Sequence, residues 1–388
     1  MGRSVRENAL ALLGSKTVTG PPERLPILHF GYWTELLDKW AAQGHVTAAE
    51  AAGWSDGNAI DREIGRRLGF DQNYYQTTGA YTGLWPPFAE MIVEERSDGS
   101  YLKRNADGVI VMERHGAISI PTEVEHILVD RGSFESEYRP RLAAVPERLD
   151  VEAMLDFLRE RQGAGELVGI HCGSYYGNIR NWAGLEGLAY IAADDPELYA
   201  EMIAVNAEMS FEVTRRALEA ARMSGERFDF AHFWEDICFK NGPLVNPAVF
   251  RELVGPHYRR MTALLADYDI DIVSLDCDGS IDLLLPVWLE NGVNTMFPIE
   301  VGTWHASIAP WRERYGDAVR GVGGTDKRVF AQDRAAVDAE IDRLLPLVEG
   351  GGYIPCPDHR LPLEAEWDLV RYYTDELRRR SARLFMGG

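Results

Sequence analysis

Ile270-Asp271-Ile272-Val273-Ser274-Leu275-Asp276-Cys277-Asp278-Gly279 is an apolar run that ends in two acids and a glycine. It reads as a strand buried in a sheet, and strand side chains alternate faces. Asp276 and Asp278 therefore share a face, and Cys277 points away. Two carboxylates on one face, at the end of a buried strand, are costly unless a metal, a cation or shared protons compensate. Four more runs end alike: Phe228–Asp236 (FDFAHFWED), Val293–Glu300 (VNTMFPIE), Val319–Lys327 (VRGVGGTDK) and Gly352–His359 (GYIPCPDH). Charges gathered at one set of strand ends converge in space, and α/β barrels keep their chemistry at the C-terminal ends of their strands.

Outward from these runs the chain alternates strand and helix. Helical patterns fall at 151–161, from Asp195-Pro196 to Arg222, and near 247–266, 281–291, 304–315, 333–348 and 364–384. Asp195 at the N-cap and Pro196 in the first turn mark a helix start. Leu167–Gly173 and Leu25–Tyr32 read as further strands, and residues 1–15 as a short helix. Between 88 and 140, short β-like runs (Val93–Arg96, Tyr101–Arg104, Val109–Glu113, Ile127–Asp130) are separated by Asp98-Gly99 and Asp107-Gly108, a hairpin signal. The expected fold is α/β: a (β/α)8 TIM-type barrel, one domain over 1–388, with an antiparallel hairpin excursion in the N-terminal third. A doubly wound sheet lacks support, since neither GxGxxG nor GxxxxGK[ST] is present.

Of the 388 residues 46% are hydrophobic and 26% charged, so the core can be large without disulfides. A net charge of −21, from 40 basic and 61 acidic residues, argues against nucleic acid or an anionic membrane as partner. The four cysteines form no CxxC pair, which fits a reducing compartment. With no signal-like or membrane-spanning run, the expected location is cytoplasmic.

Each strand end has a functional and a structural reading. Asp276 and Asp278 suit a divalent cation or acid–base work, or else cap the helix that follows. His359, beside Asp358, suits a metal or a proton shuttle. Trp234 reads as a pocket wall or as core, with one of Glu235 and Asp236 facing the barrel mouth. Glu300 is a solitary acid. Asp326 and Lys327 form a mixed-charge tip after a glycine turn. His171-Cys172 imitates a metal motif, but alternation turns the two side chains apart.

Taken in order, DDPELY (194–199), WED (234–236) with GPLVNPAVFRELVGPHYRR (242–260), LDCDG (275–279), NGVNTMFPIE (291–300), GGTDKR (323–328) and GGYIPCPDHRLP (351–362) resemble the uroporphyrinogen decarboxylase superfamily. FGYWTELLDKW (30–40) is similar to the amino-terminal region of its methyltransferase-like branch. The resemblance implies a (β/α)8 barrel with its site at the C-terminal mouth. True uroporphyrinogen decarboxylases carry an arginine-rich motif after the first strand to hold substrate carboxylates. Here His29-Phe30-Gly31-Tyr32-Trp33 stands instead, so His29 and Tyr32, with Trp234, are the substrate-binding candidates. Corrinoid-dependent relatives bind zinc through His-x-Cys and a later Cys, and Asp276, Asp278 and His359 match those positions. The resemblance thus implies a methyltransferase moving a methyl group between a small substrate and a cobalt corrinoid (cobalamin) on a partner protein. A divalent metal would sit on Asp276, Asp278 and His359 with Glu300; zinc is one option, though carboxylates suit a harder ion. Glu235, Asp236, Asp326 and Lys327 are the expected catalytic residues. The alternative is a decarboxylase, a carboxy-lyase acting on another carboxylic substrate. The expected partners are a small-molecule methyl donor or acceptor, a corrinoid protein and a second copy as a homodimer.

Overall fold

The computed structural model describes residues 2–114 and 121–386. The expected single domain of 1–388, and part of the 88–140 excursion, extend into residues outside that range. After a helix at Val5–Leu12 come short parallel strands: β1 (Leu28–His29), β2 (Gln72–Asn73) and β3 (Thr77–Thr78). Then come β4 (Met91–Glu95), β5 (Ser100–Arg104), β6 (Val109–Arg114) and β7 (Thr122–His126). They form a separate antiparallel sheet in sequential order. Its β4–β5 and β5–β6 turns carry Gly99 and Gly108 at positive φ. The fourth strand lies just before the expected Ile127–Asp130. There Asp130 accepts the Ser133 N–H and starts a helical turn instead.

The remaining strands are β8 (Gly169–His171), β9 (Phe230–Trp234), a small hairpin of β10 (Cys238–Phe239) and β11 (Gly242–Pro243), β12 (Val273–Asp276), β13 (Thr295–Ile299), β14 (Arg320–Thr325) and β15 (Tyr353–Pro357). Seven strands make one parallel sheet, ordered β3-β8-β9-β12-β13-β14-β15. Helices cross between successive strands, among them Val151–Gly163, Pro196–Met223, Gly255–Ala266, Leu285–Glu290, Ile308–Tyr315 and Arg334–Glu349. Asp195 caps the longest of these through the Leu198 N–H, with Pro196 following.

The hydrogen-bonded ladder does not close into the expected barrel. β1 and β2 pair only with each other, Leu28 beside Gln72 and His29 beside Asn73. The chain leaves the ladder between β2 and β3 because the Asn73 side chain accepts the Tyr75 N–H at 2.8 Å, an Asx turn. On the other edge β1 meets the end of β15 only through a bridge between Tyr32 and Leu361. The Trp33 N–H there donates to Leu361 O, and the Leu361 N–H to Gly31 O. The expected strand Leu25–Tyr32 thus shrinks to two residues, with Gly31 at φ +81° bending the chain beyond them.

No helix of the described residues is long and apolar enough to cross a membrane. One continuous apolar core runs from Ala9 to Leu377 and fills both the strand interior and the helix layer.

Candidate active site

Parallel pairing sets neighbouring residues on one face. Ser274 lies beside His232 and Thr295, Asp276 beside Trp234 and Phe297, and His171 beside His232. His171, His232, Trp234, Ser274, Asp276 and Phe297 therefore share the inner face. Phe233 and Glu235 turn outward: Phe233 packs on Tyr175 and Tyr258 of the helix layer. This alternation separates residues that the sequence grouped together.

Asp276 ends β12 and is 6% exposed, with no side-chain hydrogen bond among the described residues. Burial, then the neighbouring charges of Asp278 and Asp236, push its carboxyl well above the ordinary aspartate value. Asp278 lies two residues further on, past the end of the strand, and its Oδ2 is 3.4 Å from His359 Nε2. Asp236 stands at the end of β9 with φ +44°. Burial and Asp278 raise its carboxyl, while the Arg180 guanidinium holds its backbone oxygen at 2.8 Å and its carboxylate at 3.4 Å. Glu300 is raised by burial and Asp278. Its oxygens are already used, by the Gly279 N–H at 2.5 Å and the Thr303 hydroxyl at 2.8 Å.

His359 is sandwiched by aromatic rings, stacked on Trp33 at 5.5 Å and edge-on to Phe30 at 5.4 Å. Arg360 grips Asp56 through both guanidinium nitrogens, at 3.2 and 2.6 Å. The expected metal ligands are thus gathered at one mouth but not around one point. Among the described residues, no three His, Cys, Asp or Glu side chains are placed to hold a metal ion. With Glu300 spent and His359 between two rings, the set does not fit a metal centre as it stands, and no chemical step below runs through one.

Other expected site residues lie elsewhere. His29 is buried, stacked on Tyr32 and tilted against Phe70, and Tyr32 is packed against Trp40 and Trp54. Both face the helix layer, not the mouth; their neighbours Phe30 and Trp33 face it instead. Glu235 is fully buried. Its carboxylate accepts from the Ser174 hydroxyl, the N–H groups of Tyr175, Tyr176 and Gly177 at 2.7–2.9 Å, and the Tyr258 hydroxyl. It caps the helix Gly177–Asp194 rather than facing substrate. Asp326 caps its own turn through the Arg328 N–H and pairs with the Arg328 guanidinium at 2.8 and 2.7 Å. The Lys327 N–H donates to buried Asp358 at 3.2 Å. These three groups hold the β14–β15 end together.

Trp234, expected as a substrate-binding residue, stands at the end of β9. With Tyr75 and His171 it lines a cavity of ≈ 650 Å³ at the ends of β3, β8 and β9, edged by Thr77, Asp107 and Asn178. Tyr75 joins this cavity to the acids: burial, then Asp276, raises its hydroxyl far above the ordinary tyrosine value. His171 turns into the cavity, and Cys172 is fully buried on the opposite face. Alternation was enough to separate them; what it left unread was that the cavity lies on the His171 side.

His232 lies beneath, fully buried, with both ring nitrogens unpartnered, as are the hydroxyls of Ser274 and Tyr74. Burial, then His171, depresses its imidazole to about 3 from an ordinary 6.5. In that interval the unfolded chain binds a proton that the folded chain refuses. Stability is full above pH 6.5 and is lost as pH falls towards 3. Between pH 7 and 5, His232→Phe is expected to lose about 2 kcal/mol less stability than the parent, at about 1.36 kcal/mol per pH unit. Urea melts at the two pH values measure this; equal losses would mean that His232 takes up its proton in the fold.

No protein-family model and no curated protein matches the chain. Among solved structures, a methyltransferase from Methanosarcina mazei is 13% identical, with a TM-score of 0.59 over 97% of this chain and 99% of its own. A putative vitamin-B12-independent methionine synthase from Listeria monocytogenes has 13% identity and a TM-score of 0.40, over 92% of this chain and 96% of its own. A B12-independent methionine synthase from Shewanella sp. W3-18-1, in complex with selenomethionine, has 11% identity and a TM-score of 0.46, over 93% and 97%. The chain shares the α/β fold of the first, end to end. The other two are too distant to carry weight, and at such identity the likeness speaks for fold alone.

Proposed function

We propose that the chain is a one-domain barrel enzyme of the uroporphyrinogen decarboxylase superfamily. In this reading it is a methyltransferase of the corrinoid-linked branch, acting on a small methylated substrate. The observation that carries the reading is Asp276: a buried carboxyl with no side-chain hydrogen bond among the described residues, holding its proton more tightly than an ordinary aspartate, at the strand-end mouth near a cavity large enough for a small molecule. The ordered strand-end motifs and the fold shared with the Methanosarcina methyltransferase support it. A corrinoid, carried by a partner protein, would supply the electron pair that takes the methyl group. Asp276 gives its proton to the heteroatom as the carbon–heteroatom bond breaks and that bond's electrons stay on the heteroatom. Trp234 and Tyr75 orient the substrate, and Asp278 with His359 returns a proton to Asp276.

The carboxy-lyase alternative asks the same mouth to admit a carboxylate. Asp236, Asp278 and Glu300 oppose that, and the nearby Arg180 and Arg360 are engaged by Asp236 and Asp56. The test is incubation of purified protein with reduced cobalamin and a panel of methoxylated, methylamine and thiol methyl donors, following methylcobalamin optically, and in parallel with a panel of small carboxylic acids, following CO2 release. Methylcobalamin from one donor class is expected. CO2 release without methyl transfer would overturn the reading in favour of the lyase.

A further inference from the structure

Two of the four cysteines meet behind the mouth. Cys277 stands between Asp276 and Asp278, and Cys238 follows Asp236 by two residues. Alternation turns Cys277 off the inner face. There its thiol is in hydrogen-bonding contact with the Cys238 side chain and the Ile237 backbone. The two segments are laced together on either side of the pair. The Glu235 N–H donates to Asp276 O and the Ser280 N–H to Phe239 O, both at 2.9 Å. Gly279, at φ +85°, permits the approach, since a Cβ there would stand 2.7 Å from the Cys238 carbonyl carbon and oxygen.

Both cysteines are free and buried. A buried thiol by itself is a small apolar filler. Cys172 and Cys356 are of that kind: both are buried, and neither meets another cysteine among the described residues. Cys238 and Cys277 differ in meeting each other, and in where Cys238 sits. It opens the β10–β11 hairpin, whose strands are two residues each, and its neighbour Phe239 is 59% exposed. So small a hairpin is marginal without support. Lifting it uncovers Cys238 and leaves the seven-stranded sheet intact.

We infer that Cys238 and Cys277 are a redox modification site, forming a reversible disulfide that ties β9 to β12 at the mouth. The oxidant is a small disulfide of the glutathione type. The Cys238 thiolate attacks one of its sulfurs and releases one glutathione thiolate. The Cys277 thiolate then attacks the mixed disulfide at the Cys238 sulfur and releases the second. One S–S bond is broken and one formed, and the two protein thiol protons end on two glutathiones. The new bond joins the segment after Asp236 to the segment carrying Asp276 and Asp278, so oxidation fixes the mouth acids relative to one another. In a reducing compartment the pair stays reduced until the glutathione pool is oxidised. The inference does not depend on which reaction the mouth performs.

The test equilibrates the folded full chain in glutathione buffers of rising oxidised fraction, quenches with acid and counts thiols after denaturation. A fall from four thiols to two is expected, reversed by dithiothreitol. Non-reducing peptide mapping should join the Cys238 and Cys277 peptides. Hydrogen exchange at the Ser280 amide should slow on oxidation, because its acceptor Phe239 O lies on the hairpin that the bond holds down. Cys277→Ser removes the resolving thiol and should trap glutathione on Cys238, whereas Cys172→Ser should still lose two thiols. The thiol count of the parent decides the matter even if a variant fails to fold. Four thiols at every buffer ratio, a lasting glutathione adduct on the parent, or a bond through Cys172 or Cys356 overturns the inference.

Discussion

Asp276→Asn is expected to lower the methyl-transfer rate by about 10²- to 10⁴-fold while the protein stays folded, the usual contribution of a positioned general acid. Asparagine keeps the shape, but has no proton to give. The same substitution has a signed effect on stability. Burial, then Asp278 and Asp236, raises the folded-state value of Asp276 well above the ordinary 3.8. Between those two values the folded chain holds a proton that the unfolded chain has lost. Stability is full below pH 3.8 and falls as pH rises towards the raised value. The asparagine variant lacks this loss, so its stability relative to the parent should grow from pH 4 to pH 8 in urea melts. An unchanged rate together with this shift would leave Asp276 a buried acid with no part in the chemistry.

The parts of the fold written in local sequence were legible. Apolar runs ending in acids mark β9, β12, β13, β14 and β15, because burial of a parallel strand needs a continuous apolar body. Asp195-Pro196 marks a helix start because the cap is made by adjacent residues. The helix Gly177–Asp194 was not legible. Its first residue is Gly177, its N-cap Tyr176 makes no side-chain cap bond, and non-helical Gly184 interrupts it. Its cap comes from Glu235, on another strand, and no local pattern encodes that. The same contact explains why Glu235 read as catalytic. A strand-end acid looks alike whether it faces a substrate or a helix end, and only the parity of its position distinguishes the two.

Parity also separates the site residues at β1. Alternation continued through His29-Phe30-Gly31-Tyr32 would put Phe30 and Tyr32 on one side. Gly31 at φ +81° breaks that count, so His29 and Tyr32 both meet the helix layer while Phe30 and Trp33 reach His359. A side chain at position 31 would come within 2.6 Å of Arg360 and 2.8 Å of Asp56, so glycine is required where these elements converge. The mouth was legible as a cluster of acids. Its wall was not, because Tyr75 lies in the turn between β2 and β3, outside any strand, and alternation at His171 does not say which face meets the cavity.

Glu235→Ala is expected to cost about 3–5 kcal/mol of stability, the range for removing one partner of a buried, hydrogen-bonded charge network. The loss leaves five donors facing an empty volume: two hydroxyls, and three N–H groups at the start of the helix. Glu235→Gln keeps one acceptor oxygen but turns an NH2 group towards donors, and should cost about 1–3 kcal/mol. Urea unfolding gives the totals. Hydrogen exchange at the Tyr175, Tyr176 and Gly177 amides should report a local loss of protection larger than elsewhere, because their acceptor has gone. The catalytic reading of Glu235 makes the opposite forecast: full stability with turnover abolished. A variant that melts like the parent would return this carboxylate to the chemistry and require the helix Gly177–Asp194 to be capped by other means.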